Sequence, residues 1–152
     1  MTAVYDLHVH VRVTNAILID RPRSEVAAFA TDPSRAREWY SDVRDVRWNR
    51  QPVAVGSKLA FVAAFLGRES DYVYEVTELV PDERFVMSRA EGPFQMETVY
   101  SWEDTGGGGT RMTLQNSGYP RGISLLLAPL LRSAMKRSGR RDLRRLKALL
   151  EA

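Results

Sequence analysis

Cysteine is absent from the 152-residue chain, and histidine occurs only at His8 and His10. The first absence excludes disulfide bonds, cysteine nucleophiles and thiolate metal ligands. The second excludes a metal site that is built from several histidines. We therefore expect neither a bound metal nor a cofactor. Both histidines fall on the polar side of an alternating segment, so we expect them to be exposed and without a catalytic role.

Long hydrophobic runs are also missing. No segment reaches the roughly 18 apolar residues of a membrane-spanning helix. The first ten residues, MTAVYDLHVH, do not combine a basic region with an apolar block, so we expect no secretory signal and a cytoplasmic location. Lysine is scarce, with three lysines against 19 arginines, a ratio typical of proteins from GC-rich bacterial genomes.

Negative charge is scarce towards the end of the chain. Residues 120–152 contain nine lysines and arginines but only two acids, so this segment carries +7 and the remainder −4. Such a segment either docks on its own domain or attracts anions. The lysines and arginines recur about every four residues, which favours a solvent-exposed stripe along one face of a helix. The alternative is that the helix contacts an anionic membrane surface, with Leu125–Leu131 as the apolar anchor. Since no aromatic residues interleave the arginines, we expect no nucleic acid partner.

Among the features that are present, the segment Ala16–Trp39 is the most informative. Its sequence is AILIDRPRSEVAAFATDPSRAREW. Residues 9–19 alternate apolar and polar side chains, which predicts a half-buried strand. Pro22 then predicts the start of a short helix, with Ser24 or Asp20 as its cap. A strand is therefore expected to lead directly into a helix.

The pair Asp32-Pro33 is predicted to end this helix, because the residue before a proline avoids helical backbone angles. A second short helix is predicted over Ser34–Tyr40. Short strands with turn signals between them follow, which is typical of one curved antiparallel sheet. The predicted strands cover residues 43–50, 59–66, 72–80, 84–90, 94–103 and 110–119.

The glycines Gly106–Gly109 are predicted to form a hairpin loop between the last two strands. They lack the GxxxxGK[ST] pattern and do not precede a helix, so they are not a phosphate-binding loop. From Pro120 onward the pattern becomes helical, and we expect Pro129 and Gly139 to weaken or kink this terminal helix. The length predicts one domain over residues 1–152.

This order of elements, with several short sequence matches, resembles the SRPBCC or START-like superfamily and, within it, the polyketide cyclase/dehydrase-like group. The resemblance covers nearly the whole chain. The matching pieces are ILIDRP…EV…F…TD…W, the strand end VTELVP, the turn Gly92-Pro93-Phe94, Gly109-Thr110-Arg111, and the closing Leu146-Lys147…Glu151.

The resemblance implies an α+β fold known as the helix-grip. In this fold a curved antiparallel sheet of about seven strands wraps around a long C-terminal helix, with two short helices after the first strand. It implies a cavity between sheet and helix that holds a small hydrophobic ligand, which is aromatic, polyketide-like or lipid-like. A polyketide cyclase/dehydrase is the first interpretation of the function. The alternatives are a carrier or sensor without catalysis and a protein-binding module, and the oligomeric state is left open.

A cavity of this kind would be lined by aromatic and small polar residues of the inner sheet face and the second short helix. The alternative is that these side chains fill an ordinary core. The facing of residues 72–80 stays open at this point, because either the set that begins with Tyr72 or the set that begins with Val73 can point inward. The candidate lining residues are Trp39, Tyr40, Tyr72, Tyr74, Met96, Thr98, Tyr100, Trp102, Met112 and Asn116.

Two positions depart from the aromatase/cyclases that the chain resembles. Those proteins have an arginine on the strand just before the turn equivalent to Val80-Pro81-Asp82, where this chain has Leu79. They also have a tyrosine where this chain has Val43. The charged groups that remain able to face inward are Arg68, Arg89 and Glu97, and we expect each to face solvent because an unpaired buried charge is costly. No catalytic residue is assigned from the sequence.

Overall fold

The computed structural model describes residues 9–49, 52–65, 67–89, 94–120 and 125–152. Predicted features at His8, Arg50, Leu66, Ala90, Gly92-Pro93 and residues 121–124 lie outside these ranges. The strands are β1 (Val11–Ile19), β2 (Val43–Trp48), β3 (Lys58–Phe65), β4 (Arg68–Val80), β5 (Arg84–Arg89), β6 (Phe94–Asp104) and β7 (Thr110–Pro120). The helices are α1 (Arg23–Ala30), α2 (Ala36–Trp39) and α3 (Ala128–Glu151), with a 3-10 turn at Pro33–Arg35.

The seven strands form a single antiparallel sheet in the order β1-β7-β6-β5-β4-β3-β2. Each strand from β2 to β7 therefore pairs with its neighbour in sequence, whereas β1 pairs with β7 at the far end of the chain. The sheet is curved and open, and α3 is the long helix that packs against it. This architecture confirms the predicted α+β helix-grip fold.

The alternating pattern of β1 predicted its facing correctly. Val11, Val13 and Ile19 are buried, whereas Arg12 and Thr14 are exposed. At the end of the strand the chain turns into α1 at Pro22, which occupies the N-cap position and has no side-chain cap. The expected caps at Ser24 and Asp20 are therefore not formed, and the φ of −60° at Pro22 is the value that the proline ring imposes.

The two short helices join as the Asp32-Pro33 pair predicted. The Asp32 carboxylate accepts hydrogen bonds from the backbone nitrogen and the hydroxyl of Ser34, at 3.0 Å and 2.6 Å. This capping starts the 3-10 turn, which leads directly into α2. Trp39, at the end of α2, is fully buried and packs into the main core between sheet and helices.

A bulge in β4 settles which residues of this strand point inward. The pairing with β5 shifts between Val76 and Glu78, so one residue is left without a partner. Before the bulge Tyr72, Tyr74 and Val76 pack inward, and after it Leu79 does. The strand therefore mixes the two sets that simple alternation keeps apart.

The terminal helix begins later than predicted, because Pro120 still belongs to β7 and α3 starts at Ala128. Pro129 consequently lies in the first turn of α3, where its missing N–H is not needed, so it does not interrupt the helix. Gly139 lies where α3 crosses β1, and a Cβ atom there would come within 2.4 Å of Nδ2 of Asn15. Any larger residue at position 139 would therefore require the Asn15 side chain to move.

Basic side chains of α3 bind the exposed edge of β1. Arg132 donates to the carbonyl oxygen of His10 at 3.3 Å, and Lys147 donates to that of Leu18 at 2.6 Å. Lys136 donates to the carbonyl oxygen of Thr14 between them. Three residues of the basic segment therefore dock on their own domain, one of the two alternatives left open by the sequence. Within the described ranges, no helix has the length and apolar character needed to cross a membrane.

Candidate ligand-binding site

A cavity of about 210 Å³ lies between the sheet and α3 and is partly open to solvent. Strands β2 to β7 contribute the sheet side, the loop after α2 contributes an edge, and α3 closes the other side. Most of its wall is hydrophobic or aromatic. These wall residues are Tyr40, Val43, Phe61, Ala63, Ala64, Tyr72, Tyr74, Met87, Met96, Leu114 and Met135, with Gly139 beside them.

The structure places six of the ten candidate lining residues at this cavity. They are Tyr40, Tyr72, Tyr74, Met96, Thr98 and Asn116. The remaining four are buried in the core instead and do not line the cavity. They are Trp39, Tyr100, Trp102 and Met112.

Aromatic contacts join three of those four core residues, because Tyr100 contacts both Trp39 and Trp102 edge-on. Trp39 stacks on Tyr40 with ring centroids 4.0 Å apart, and its other neighbour is the edge-on ring of Tyr100 at 5.8 Å. Tyr100 in turn stacks on Phe85 at 5.4 Å. The aromatic residues of the inner sheet face therefore divide into a packed cluster under the short helices and a second group that surrounds the cavity.

A polar chain crosses the sheet side of the cavity. Thr98 and Asn116 face each other on β6 and β7, and the Thr98 hydroxyl donates to Oδ1 of Asn116 at 2.7 Å. Tyr74 makes a side-chain hydrogen bond with Thr98. Burial raises the pKa of the Tyr74 hydroxyl, and the nearby Arg89 guanidinium opposes this shift. The Tyr74 hydroxyl is therefore protonated at neutral pH, and because the Thr98 hydrogen is donated to Asn116, Tyr74 is the donor in its hydrogen bond with Thr98.

Arg89 lines the cavity, so the expectation that it faces solvent is wrong. Its guanidinium carbon lies 4.5 Å from the centroid of the Tyr72 ring, and its Nη1 atom is buried. No atom of the described residues accepts a hydrogen bond from that Nη1. Alternation along β5 indicates this orientation, because Arg89 lies two residues after the cavity residue Met87 and therefore on the same face of the strand. Arg68 and Glu97 are exposed, as expected.

On the helix side, Asp142 is a buried carboxylate that the sequence analysis did not single out. It is 5 % exposed, and its Oδ1 accepts hydrogen bonds from the backbone nitrogen and hydroxyl of Ser41, at 3.1 Å and 2.9 Å. Burial raises the pKa of Asp142, while the hydrogen bonds from Ser41 lower it. Asp142 lies three residues after Gly139 and four before Leu146, a spacing that places all three on the buried face of α3. The arginines on both sides of Asp142 make this pattern hard to see in the sequence.

A second carboxylate, Asp42, lies beside it at the cavity edge. It accepts a hydrogen bond from Ser138 at 3.1 Å and forms an ion pair with Arg141 at 3.3 Å. Asp42 is thus neutralised by α3, whereas Asp142 has hydrogen bonds but no ion pair among the described residues. In the described part of the chain, no cluster of acids and histidines could hold a metal ion.

The two positions that depart from aromatase/cyclases have different surroundings. Val43 lines the cavity, and Leu79 packs against the core instead. The arginine that reaches the cavity, Arg89, comes from the next strand along the chain. His10, the one histidine in the described ranges, is exposed and packs against the Tyr119 ring at 4.9 Å, away from the cavity.

A family model described as polyketide cyclase / dehydrase and lipid transport matches residues 10–151. The chain belongs to this family. The match spans β1 to the end of α3, so it includes every element that surrounds the cavity. The resemblance noted from the sequence is thereby confirmed.

Solved structures share the fold at low sequence identity. The chain is 20% identical to the protein TTHA0849 from Thermus thermophilus, with a TM-score of 0.79 over 92% of this chain and 97% of the other. A START superfamily protein from Mycobacterium smegmatis is 12% identical, with a TM-score of 0.80 over 94% of this chain and 98% of the other. The Zhui aromatase/cyclase from Streptomyces sp. R1128 is also 12% identical, with a TM-score of 0.80 over 94% of each chain. Comparison with curated proteins finds no match.

Proposed function

We propose that this protein binds a small hydrophobic ligand, aromatic, polyketide-like or lipid-like, in the cavity between the sheet and α3. The observation that carries this proposal is the cavity itself, about 210 Å³ with mainly apolar and aromatic walls and a few polar groups. Ligand sites are generally concave and mostly apolar, with a small number of placed polar groups. Membership of a family that includes lipid transport and polyketide enzymes supports the same interpretation.

The size of the cavity favours a compact ligand. Pockets for small molecules commonly measure about 300–1,000 Å³. A volume of about 210 Å³ lies below that range. The ligand is therefore expected to be small, or to leave part of its length at the open side.

Filling the cavity tests the proposal. Ala63 lines the cavity on β3, so Ala63→Phe should occupy part of the ligand space. Ala60 lies on the same strand beside the exposed Val73 and does not line the cavity, so Ala60→Phe is the matched control. We expect the neutral fluorescent probe N-phenyl-1-naphthylamine to bind the wild type and the control alike, and Ala63→Phe to bind about tenfold or more weakly. Equal binding by all three proteins, or by none, would contradict the proposal.

A second candidate function is catalysis of ring closure or dehydration of a polyketide. Such chemistry needs a proton acceptor and a proton donor beside a folded substrate. The specific observation that favours it is that the Asp142 carboxyl, whose pKa is raised by burial, and the protonated hydroxyl of Tyr74 line one cavity. Asp142 would accept the proton from the substrate carbon, and Tyr74 would turn its hydroxyl hydrogen from Thr98 to the carbonyl oxygen of the substrate.

This second candidate predicts a selective loss of turnover. The wild type is expected to convert a short poly-β-keto thioester faster than buffer does, as measured by mass spectrometry of the products. Asp142→Asn should lower the rate about a hundredfold or more while the naphthylamine probe still binds. Asp71→Asn, at an exposed position of β4, is the control. Turnover that is unchanged in Asp142→Asn would favour a carrier or sensor without catalysis.

A further inference from the structure

Arg89 has surroundings that a bound anion would complete. Among the described residues that line the cavity it is the one cationic side chain. Its Nη1 atom is buried, and no described residue accepts a hydrogen bond from it. No carboxylate in the described ranges forms an ion pair with it. A buried donor of a charged group without a partner is costly, so such atoms usually have a partner in the functional state.

The neighbours of Arg89 hold its guanidinium in place without neutralising it. The Tyr72 ring lies against the guanidinium, 4.5 Å from ring centroid to guanidinium carbon. The charge of Arg89 also acts on the Tyr74 hydroxyl. The ring lies against one side of the guanidinium, so the edge with the remaining donors can still form hydrogen bonds. Because Nη1 has no accessible surface, a ligand oxygen reaches it only after a neighbouring side chain moves.

Charge also differs between the two sides of the cavity. Arg89 comes from the sheet, whereas the carboxylates of Asp42 and Asp142 lie on the side of α3. An anionic group is attracted to Arg89 on the sheet side, whereas on the helix side Asp42 is already paired with Arg141 and Asp142 is a carboxyl group without an ion pair among the described residues. An elongated ligand with one charged end would thus bind in a single orientation.

We propose that Arg89 binds the carboxylate of the ligand, so that the natural ligand is an apolar acid whose carboxylate lies at Arg89 and whose hydrophobic body fills the rest of the cavity. This inference rests on the proposed ligand binding and specifies the class of ligand. A carboxylate matches one arginine fork in charge and in geometry. A phosphate carries close to two negative charges at neutral pH and would need further cations, which the described lining lacks.

The test compares two probes of nearly the same shape, 1-naphthaleneacetic acid and the neutral 1-naphthaleneacetamide, as competitors of N-phenyl-1-naphthylamine at neutral pH. The wild type should bind the acid about tenfold or more tightly than the amide. Arg89→Gln should abolish this preference by lowering the affinity for the acid. Its affinities for the amide and the naphthylamine should stay within about twofold of the wild-type values. Arg111→Gln, at an exposed position of β7, is the matched control and should retain the preference.

The outcomes separate this inference from the proposed function. The inference is overturned if the wild type binds both naphthalene compounds equally, or if Arg89→Gln lowers the affinities for the acid and the amide by the same factor. In either case Arg89 has only a packing role. Binding of the naphthylamine would persist in that case, so the cavity would still be a ligand site. If the naphthylamine itself does not bind the wild type, the proposed function fails first. Thermal unfolding of each variant confirms that it is folded.

Discussion

Asp142 illustrates how a single buried carboxyl affects both stability and chemistry. The folded protein removes most of its surface from water and offers it the backbone nitrogen and hydroxyl of Ser41 as partners. Burial is the larger influence, so the pKa of Asp142 is higher in the folded protein than in the unfolded chain. Ionisation is therefore less favourable after folding, and this residue contributes less to stability once it loses its proton.

The pH dependence of stability follows from the direction of this pKa shift. The folded state retains a proton on Asp142 at pH values where the unfolded chain, with a pKa of about 3.9, has released it. The associated stability is present in acid and is lost as the pH rises through the folded-state pKa. Asp142→Asn resembles the protonated form and keeps an acceptor for Ser41. We expect its free energy of unfolding, relative to the wild type, to increase with rising pH in urea titrations.

Asp71→Asn provides the comparison for this experiment, because Asp71 is exposed. A loss of stability in Asp142→Asn that grows with pH would instead mean that the ionised carboxylate is favoured by its hydrogen bonds with Ser41.

Charged cavity residues were harder to predict from the sequence than aromatic ones. The aromatic residues Tyr72 and Tyr74 stand out in an alternating strand. Arg89 and Asp142 look like surface residues, because lone charges usually face water. What places them inside is packing by neighbours distant in sequence, such as the stacked Tyr72 ring for Arg89 and Ser41 for Asp142. Such partners cannot be predicted from local patterns.

At the level of elements, α3 protects one of the two edges of the sheet, the one formed by β1. β1 is an edge strand, and an exposed edge offers unpaired backbone groups to other chains. Lys136 and Lys147 each donate to a β1 carbonyl oxygen, and Glu151 accepts from the backbone nitrogen of Asp20 at 2.9 Å. The helix thus satisfies several of the backbone groups that strand pairing leaves free.

Removing the two lysines should therefore weaken the contact between α3 and β1. Lys136→Met/Lys147→Met keeps the apolar stems but loses both hydrogen bonds to β1, each worth about 0.5–1.5 kcal/mol, and also the hydrogen-bonded ion pair between Lys147 and Glu151. We expect the free energy of unfolding in urea to fall by about 1–2 kcal/mol, with increased self-association on size-exclusion chromatography. Arg137→Met, an exposed change on the same helix, is the control. Stability and association equal to those of the control would show that these bonds contribute nothing.

Most elements were predictable, and the exceptions have local physical reasons. The two-residue alternation of β1 predicted its facing, and the Asp32-Pro33 pair predicted the break between the short helices. The bulge after Val76 has no clear sequence signal, because it depends on how β4 and β5 pair. Pro129 was misread because a proline that interrupts a helix and one that begins it have the same local pattern.

For the whole molecule, the cavity is a product of long-range assembly. Its walls come from the loop after α2, from strands β2 to β7 and from α3, and the hydrogen bonds between Ser41 and Asp142 join residues 101 positions apart. The family resemblance predicted that such a cavity exists. Which aromatic residues surround it, and which fill the core beside it, depends on stacking among Trp39, Tyr100 and Phe85, which the order of residues does not reveal.

The pairing of β1 with β7 has a consequence for how the protein is made. Val11 pairs with Gly118 and Ile19 with Thr110, so β1 cannot pair until residues roughly 100 positions later in the chain have been synthesised. At about 5–20 residues per second, this first strand leaves the ribosome roughly 5–20 s before its partner strand exists. During that interval its valines and isoleucines are exposed. The nascent chain is therefore expected to depend on early chaperone binding more than the finished protein does.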